Sequence, residues 1–521
     1  MSEVDGEQTR PGIGGRWPEI ALALALAAAW PLLSRYVPLS HDIAWQLWIG
    51  RQISHGVGLY TPLLEVNPPL WFWAAAPIVQ VSALLGISAF SGLIGFYVLA
   101  TALSAGLLAL LVREQTPGRR FSMYLVLAMA AVVLLIREFG QREQYTLLAS
   151  VPYVALIARR AAGRPVSARL AIAVALFAAT GFALKPYFVA APLFLEAWFR
   201  LSARPHWRPW RPEWFVLPIA ALAYGAAILA FAPGFLSSAV PMDRLAYGAF
   251  DSPIGYLLGS ELAWPAVLCA LGAALLGRIR SPIAAASLVA AAAYALAFAV
   301  QAKGWFYQGI PAMGLLLLGI TAEAATLRWS DLRLRQKLGV GLLAWAFVIP
   351  FANATFLGLG VYHNRFRADV LALTRDLKPG QPVMAFASRA TFAWPMVEER
   401  RLVWTSRDYT FWMLPAIARD RASGHPSPKL AALARTIQAQ TLQDMRCHPP
   451  VRILVHDPQR EPRDRALFGN PRFDYLAFFR EDPGIAELLT HYRPGPPGPW
   501  RTYDLADPTG IRPEGPCRQI F

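Results

Sequence analysis

The chain alternates long apolar segments with short polar ones. Apolar runs that can be read as membrane-spanning helices recur at 17–36, 89–112, 121–137, 146–159, 168–184, 187–200, 214–233, 261–277, 282–300, 309–327 and 338–358; a crossing takes roughly 20 residues. One more run, 68–88, opens with Pro68-Pro69 and contains Pro77 and Gln80. Those interruptions suit a helix that lies in or dips into the membrane surface without crossing. After Leu359 the pattern changes. Residues 360–521 hold no spanning run, and the apolar pieces at 383–387, 402–405 and 453–455 have the length of buried strands. The stretches 430–445 and 483–490 predict helices. The expected fold is a polytopic α-helical membrane protein of about eleven spans, residues 1–359. A C-terminal α/β domain, residues 360–521, would stand outside the membrane.

Composition agrees: of 521 residues, 55% are hydrophobic and 16% charged, too apolar for an ordinary soluble protein. A net charge of +16 raises the question of nucleic acid. The placement of the charge answers it against nucleic acid. Seventeen arginines and lysines sit in five loops, at 113–120, 159–169, 200–211, 278–280 and 328–337, against six in the alternating loops. Such a bias sets topology. It puts those five loops and the N-terminus in the cytoplasm and the C-terminal domain on the opposite side; the expected setting is a bacterial inner membrane, with that side periplasmic. It also leaves room for only one crossing between residues 37 and 113, so 37–88 forms one outer loop. The alternative, with 68–88 as a span and the N-terminus outside, would separate Asp42 from the other polar groups of the outer face. Residues 20–30 resemble a signal peptide, but 18–36 is long enough to be a retained first helix. Cys269 lies in an apolar run. Cys447 and Cys517 lie in the polar C-terminal part and are expected to pair if it faces an oxidising compartment.

The outer loops collect charged groups that membranes tolerate only where they have work to do. The first loop reads PLSHDIAWQLWIGRQISHGVGLYTPLLEVNPPLWFW from Pro38 to Trp73 and carries His41, Asp42 and Asn67. Glu138, Arg142 and Glu143 stand in IREFGQREQY. Lys185 interrupts the apolar GFALKPYF, and Lys303 and Tyr307 fall in QAKGWFYQ. A carboxylate with cations near a membrane surface suits sugar transfer from a lipid phosphate: the carboxylate deprotonates an acceptor hydroxyl, and the cations hold the departing phosphate. Taken singly, each lysine is explained as well by snorkelling at a helix end, and each glutamate by a solvated pair with Arg137 or Arg142. Trp45, Trp48, Trp71, Trp73 and Trp305 read first as an interfacial aromatic belt.

The order of these features resembles the GT-C superfamily of polyprenyl-phosphate-dependent glycosyltransferases, of the protein O-mannosyltransferase and lipid A aminoarabinose transferase type. The likeness spans about 36–327. It rests on His41-Asp42 after the first helix, the Pro-Pro helix NPPLWFW at 67–73, Glu143 in REQYTLLA, and Lys185 and Lys303 in their apolar settings. It implies Asp42 as catalytic base and Glu143 as the second acidic site residue, with Glu138 as its alternative. It also implies Lys185 and Lys303, with Arg142, as ligands of the donor phosphate. His41, Glu138, Asn67 and Tyr307 are the further site candidates. The expected partners are a polyprenyl-phosphate-linked sugar, membrane lipids, and a glycan, lipid or protein acceptor; transfer would invert the sugar. No organic cofactor is implied, and a divalent cation is left open. A transporter or flippase for a lipid-linked sugar would use a similar basic outer pocket, but the related halves common in transporters are absent from the sequence. A structural subunit would have no need of these charges on one face.

Overall fold

The computed structural model describes residues 15–361, 365–460, 462–469, 472–495 and 500–520. The N-terminal segment expected in the cytoplasm falls mostly outside them, as does the expected domain boundary, at the level of side chains. Helices form at every apolar run. They are α1 (Trp17–Tyr36), α2 (His41–Ser54), α3 (Leu70–Leu84), α4 (Ala89–Leu111), α5 (Pro117–Val132), α6 (Arg142–Ala161), α7 (Ala168–Phe182) and α8 (Ala190–Ser202). They continue with α9 (Pro212–Phe231), the short α10 (Val240–Ala246) and α11 (Ile254–Leu258), then α12 (Ala263–Leu276), α13 (Pro282–Gln301), α14 (Ile310–Ala324) and α15 (Leu334–Val361). Each of the eleven expected spans coincides with a helix. Among the described residues, five helices have the length and hydropathy for a crossing: α1, α4, α9, α13 and the 334–354 part of α15.

The bundle is built around α6 and α14, buried over nearly their whole length. The rim helices α1 and α9 leave Leu24, Leu32, Leu222 and Phe231 exposed, the pattern of side chains that face lipid. Two close crossings depend on missing side chains. A Cβ on Gly50 of α2 would meet the Ala75 backbone of α3 at 2.9 Å, and one on Gly272 of α12 would lie 2.9 Å from the Gly339 carbonyl of α15. Small residues bring membrane helices together in this way. At one end of the bundle, the loops with most of the positive charge are tied to one another. Arg159 and Arg164 pair with Glu114, and Arg160 and Arg211 pair with Glu213.

After α15 come α16 (Arg365–Leu373), β1 (Pro382–Phe386), α17 (Met396–Glu399), β2 (Val403–Trp404), α18 (Leu414–Ala422), α19 (Pro428–Cys447) and β3 (Arg452–Val455). The domain ends with α20 (Pro462–Leu467), α21 (Tyr475–Arg480), α22 (Pro483–Leu488), β4 (Tyr492–Pro494) and β5 (Arg501–Leu505). The sheet order is β2-β1-β3-β5-β4. β1 runs parallel to β2 and β3, while β5 runs antiparallel to β3 and β4. Cys447 and Cys517 form a disulfide.

Alternation along the strands gives the sheet two covered faces. Met384, Phe386, Ile453 and Val455 join a core with Phe411, Ile437 and Phe479. Val383, Ala385 and Leu454 point the other way, into a core shared with Trp394, Trp404 and, from the first loop, Trp45, Trp48 and Phe72. Trp45, Trp48 and Trp71 are therefore no lipid-facing belt: each is buried. Helix α2 offers an aromatic face, and the sheet covers it. Arg51 to Glu398, at 2.9 and 3.0 Å, adds a paired contact across the same junction.

Candidate active site

Most of the candidate charged groups meet where α2, the loop before α6, the break after α7 and the C-terminal part of the chain converge. Asp42 lies in the first turn of α2, where the helix dipole favours a negative charge. Gly140, at φ 104°, takes a backbone turn open to few other residues and delivers Gln141 to the N-cap of α6. Gln141 Nε2 donates to Asp42 Oδ2 at 3.0 Å and to Glu138 at 3.3 Å. Tyr409 Oη, from the C-terminal domain, donates to Asp42 Oδ1 at 2.9 Å. His41 Nε2 stands 3.6 Å from the same oxygen. Burial alone would raise the Asp42 carboxyl, but His41, Gln141, Tyr409 and Arg142 together outweigh it and hold Asp42 below the usual carboxylate range. Glu138 moves the opposite way: burial, with the Asp42 charge added, pushes it up against the pull of His41, Gln141 and Arg137. Asp42 and Glu138 are thus driven apart. Arg137 itself pairs with Glu261 at 3.2 Å, not with Glu138.

Pro186 explains how Lys185 enters the site. A residue before proline is driven to extended backbone, and Lys185, at φ −145°, ψ 141°, ends the helical path there and turns inward. Its Nζ lies 2.6 Å from Glu143 Oε1 and 3.1 Å from Gln301 Oε1. The Tyr307 ring sits 5.7 Å from the same ammonium. Arg142 is 5% exposed, and its Nε and Nη1 have no acceptor among the described residues. A buried guanidinium with unfilled donors is a ready anion site. Arg142 and Lys185 both lie within electrostatic reach of Asp42.

The other candidates take supporting positions. Lys303 follows Ala302, a left-handed residue at φ 54°, and its Nζ is bound to Asp251 at 2.5 Å and to the Tyr247 carbonyl at 2.8 Å. That ties it to the 247–251 segment. Asn67 donates through Nδ2 to Glu65 at 2.6 Å, and its carbonyl accepts from Tyr60. Glu65 in turn accepts from Trp45 Nε1 at 2.9 Å, so Asn67 shapes the first loop. Gln141, Gln301, Glu65, Asp251 and Tyr409 were not legible as site residues. They are common polar types in unremarkable local sequence, and Tyr409 is 367 residues from Asp42.

Two cavities are lined in part by groups named above, one by Lys185 and the other by Arg137 and Glu261. One, of about 260 Å³, is walled by Phe182, Leu217, Tyr224 and Phe235 and ends on Lys185. The other, of about 690 Å³, is apolar along Leu134, Phe298 and Met313 and carries Arg137, Glu261 and Arg463. Among the described residues, no three His, Cys, Asp or Glu side chains gather as a metal-binding group, and no step below is routed through a cation.

Neither family models nor curated proteins match the chain in sequence. Solved structures do match in fold. ArnT from Cupriavidus metallidurans bound to undecaprenyl phosphate superposes with a TM-score of 0.52 at 11% identity, covering 96% of this chain and 100% of that one. The apo state of the same protein gives 0.50 at 15% identity over 97% and 99%. The mycobacterial arabinofuranosyltransferase AftD matches at 15% identity over 96% of this chain and 42% of its own, but with a TM-score of 0.45, and nothing below rests on it.

Proposed function

Starting from the GT-C fold that it shares with ArnT, we propose that the chain is a membrane glycosyltransferase moving a sugar from a polyprenyl phosphate to an acceptor hydroxyl outside the cytoplasm. The observation that carries the reading is the meeting of Asp42, held ionised by two donors, with Arg142, whose buried guanidinium has unfilled hydrogen-bond capacity. A base and an anion site within electrostatic reach of each other are what the chemistry needs. The undecaprenyl phosphate of the ArnT structure supports the lipid class.

In the proposed reaction Asp42 takes the acceptor proton. The acceptor oxygen bonds to the anomeric carbon from the face opposite the phosphate, which inverts that centre. The carbon–oxygen bond to phosphate breaks, and its electron pair leaves with the phosphate, held by Arg142 and Lys185. Glu143 sets the position of Lys185, and the apolar cavity that ends on Lys185 takes the first part of the prenyl chain. Lys303 orders the 247–251 segment at the rim. The protein would sit in a bacterial inner membrane, with residues 360–521 outside as the second domain.

The test is Asp42→Asn, given an envelope extract as the source of donor and acceptor. Release of polyprenyl phosphate should fall by about 10²–10⁴, the usual contribution of a general base. Undiminished release would remove Asp42 from the role. A flippase of lipid-linked sugars would release none, whatever stood at position 42.

A further inference from the structure

The C-terminal domain reaches into the site through one side chain. Tyr409 donates to Asp42 Oδ1 at 2.9 Å, while Gln141 occupies Oδ2 at 3.0 Å. The hydroxyl is held there by construction. The Tyr409 ring stacks on Trp45, centroids 5.0 Å apart at 20°. The backbone just before it is pinned twice: Leu64 N donates to the Arg407 carbonyl at 2.9 Å, and Trp404 Nε1 donates to the Asp408 carbonyl at 2.9 Å. Arg407 is clamped to Asp444 at 2.8 Å.

This arrangement keeps Asp42 ionised but leaves it a poor base, because a useful base needs a proton affinity near the working pH. The charged and titratable groups around Asp42 are His41, Glu138, Arg142, Lys185, Tyr247, Tyr307 and Tyr409. Of these, Tyr409 alone donates a hydrogen bond to Oδ1, and with Gln141 on Oδ2 neither carboxylate oxygen is without a donor.

We propose that Tyr409 is a positioning residue that masks Asp42 until the acceptor arrives, and that the acceptor hydroxyl then takes its place on Oδ1. The inference rests on Asp42 being the base. The exchange trades one hydroxyl donor for another. The Tyr409 O–H contact to Oδ1 is lost and the acceptor O–H contact forms. The acceptor proton then passes to Oδ1 as its oxygen bonds to the sugar. Tyr409 gives up no proton.

The test uses the full chain in detergent, with the envelope extract as combined donor and acceptor, and follows polyprenyl phosphate release against pH at limiting and at saturating extract. Limiting extract reports the free enzyme, and saturating extract the loaded one. Removing a donor from a carboxylate raises its proton affinity. Tyr409→Phe should therefore move the acid limb at limiting extract upward by roughly one pH unit. At saturating extract, where the acceptor has already replaced Tyr409, the limb should stay in place. A purely structural role would lower the rate at every pH without moving either limb. Replacing Tyr409 with 3,5-difluorotyrosine keeps the ring and its packing while making the phenol a stronger donor; the limb at limiting extract should then move down. An unmoved limb with the difluoro protein, or a limb that moves equally at both extract levels, overturns the proposal. If Asp42→Asn releases polyprenyl phosphate normally, the base assignment falls first. If release still needs Asp42 but the limb does not move, only the role of Tyr409 falls.

Discussion

Asp408, beside Tyr409, is buried and has no hydrogen-bond partner on Oδ1 among the described residues. Burial, with the Asp444 charge added, pushes its carboxyl up to about 7 against the pull of Arg407 and Arg518. An unfolded aspartate titrates near 3.9. Between those values the folded chain keeps a proton that the unfolded chain releases, so stability falls as pH rises through this window, and the full cost is present above it. Asp408→Asn removes the ionisation. Relative to the parent, its melting temperature should be little changed at pH 4 and clearly higher at pH 8.5, by at most about 4 kcal/mol of stability. An equal difference at both pH values would contradict the burial argument. At this scale the sequence was informative where a charge broke an apolar run. Lys185 stands out for that reason, Asp42 and Glu143 as acids placed in outer loops beside apolar helices, and all three lie in the chamber. Lys303 stood out equally but is satisfied by Asp251, because the sequence cannot show which carboxylate folds back onto a lysine. Tyr409 gave no signal, since its role exists only through a contact across most of the chain.

Among the elements, the pairing of α2 with α3 sets the height of Asp42 over the bundle. A valine at Gly50 would push against the Ala75 backbone, where even a Cβ would sit at 2.9 Å. Gly50→Val should cost about 1–3 kcal/mol and lower the thermal midpoint in detergent, whereas Gly106→Val, with nothing within 4 Å of its Cβ, should leave it nearly unchanged. Equal midpoints for the two variants would show that the α2–α3 contact is slack. The apolar runs placed the membrane helices within a few residues, because hydropathy is written locally. It could not say what covers the aromatic face of α2. Lipid and protein both bury tryptophan, so Trp45 and Trp48 read as a belt although the sheet covers them. β4 and β5 escaped notice for a related reason: Tyr492–Pro494 and Arg501–Leu505 are short, carry proline or charge, and lie toward the sheet edge.

At the scale of the whole molecule, the charge bias predicts a sidedness that labelling can test. The arginine-rich loops are tied together at one end of the bundle, and Asp42 makes contact with the C-terminal domain. On the proposed topology a cysteine at position 435, in exposed sequence of α19, faces the outside. Arg435→Cys should react with a membrane-impermeant maleimide in intact spheroplasts, whereas Arg119→Cys should react only after permeabilisation. The native cysteines do not interfere, because two are bonded and Cys269 is buried. Labelling of position 119 in intact cells would reverse the orientation. The order of manufacture follows from the same contact. Asp42 leaves the ribosome 367 residues before Tyr409, which at about 5–20 residues per second is on the order of half a minute. Through that interval the bundle can insert and meet lipid while the group that completes its acid is still unmade. On the proposed topology residues 360–521 cross the membrane after the bundle, and a chain stalled before Tyr409 is left without that contact.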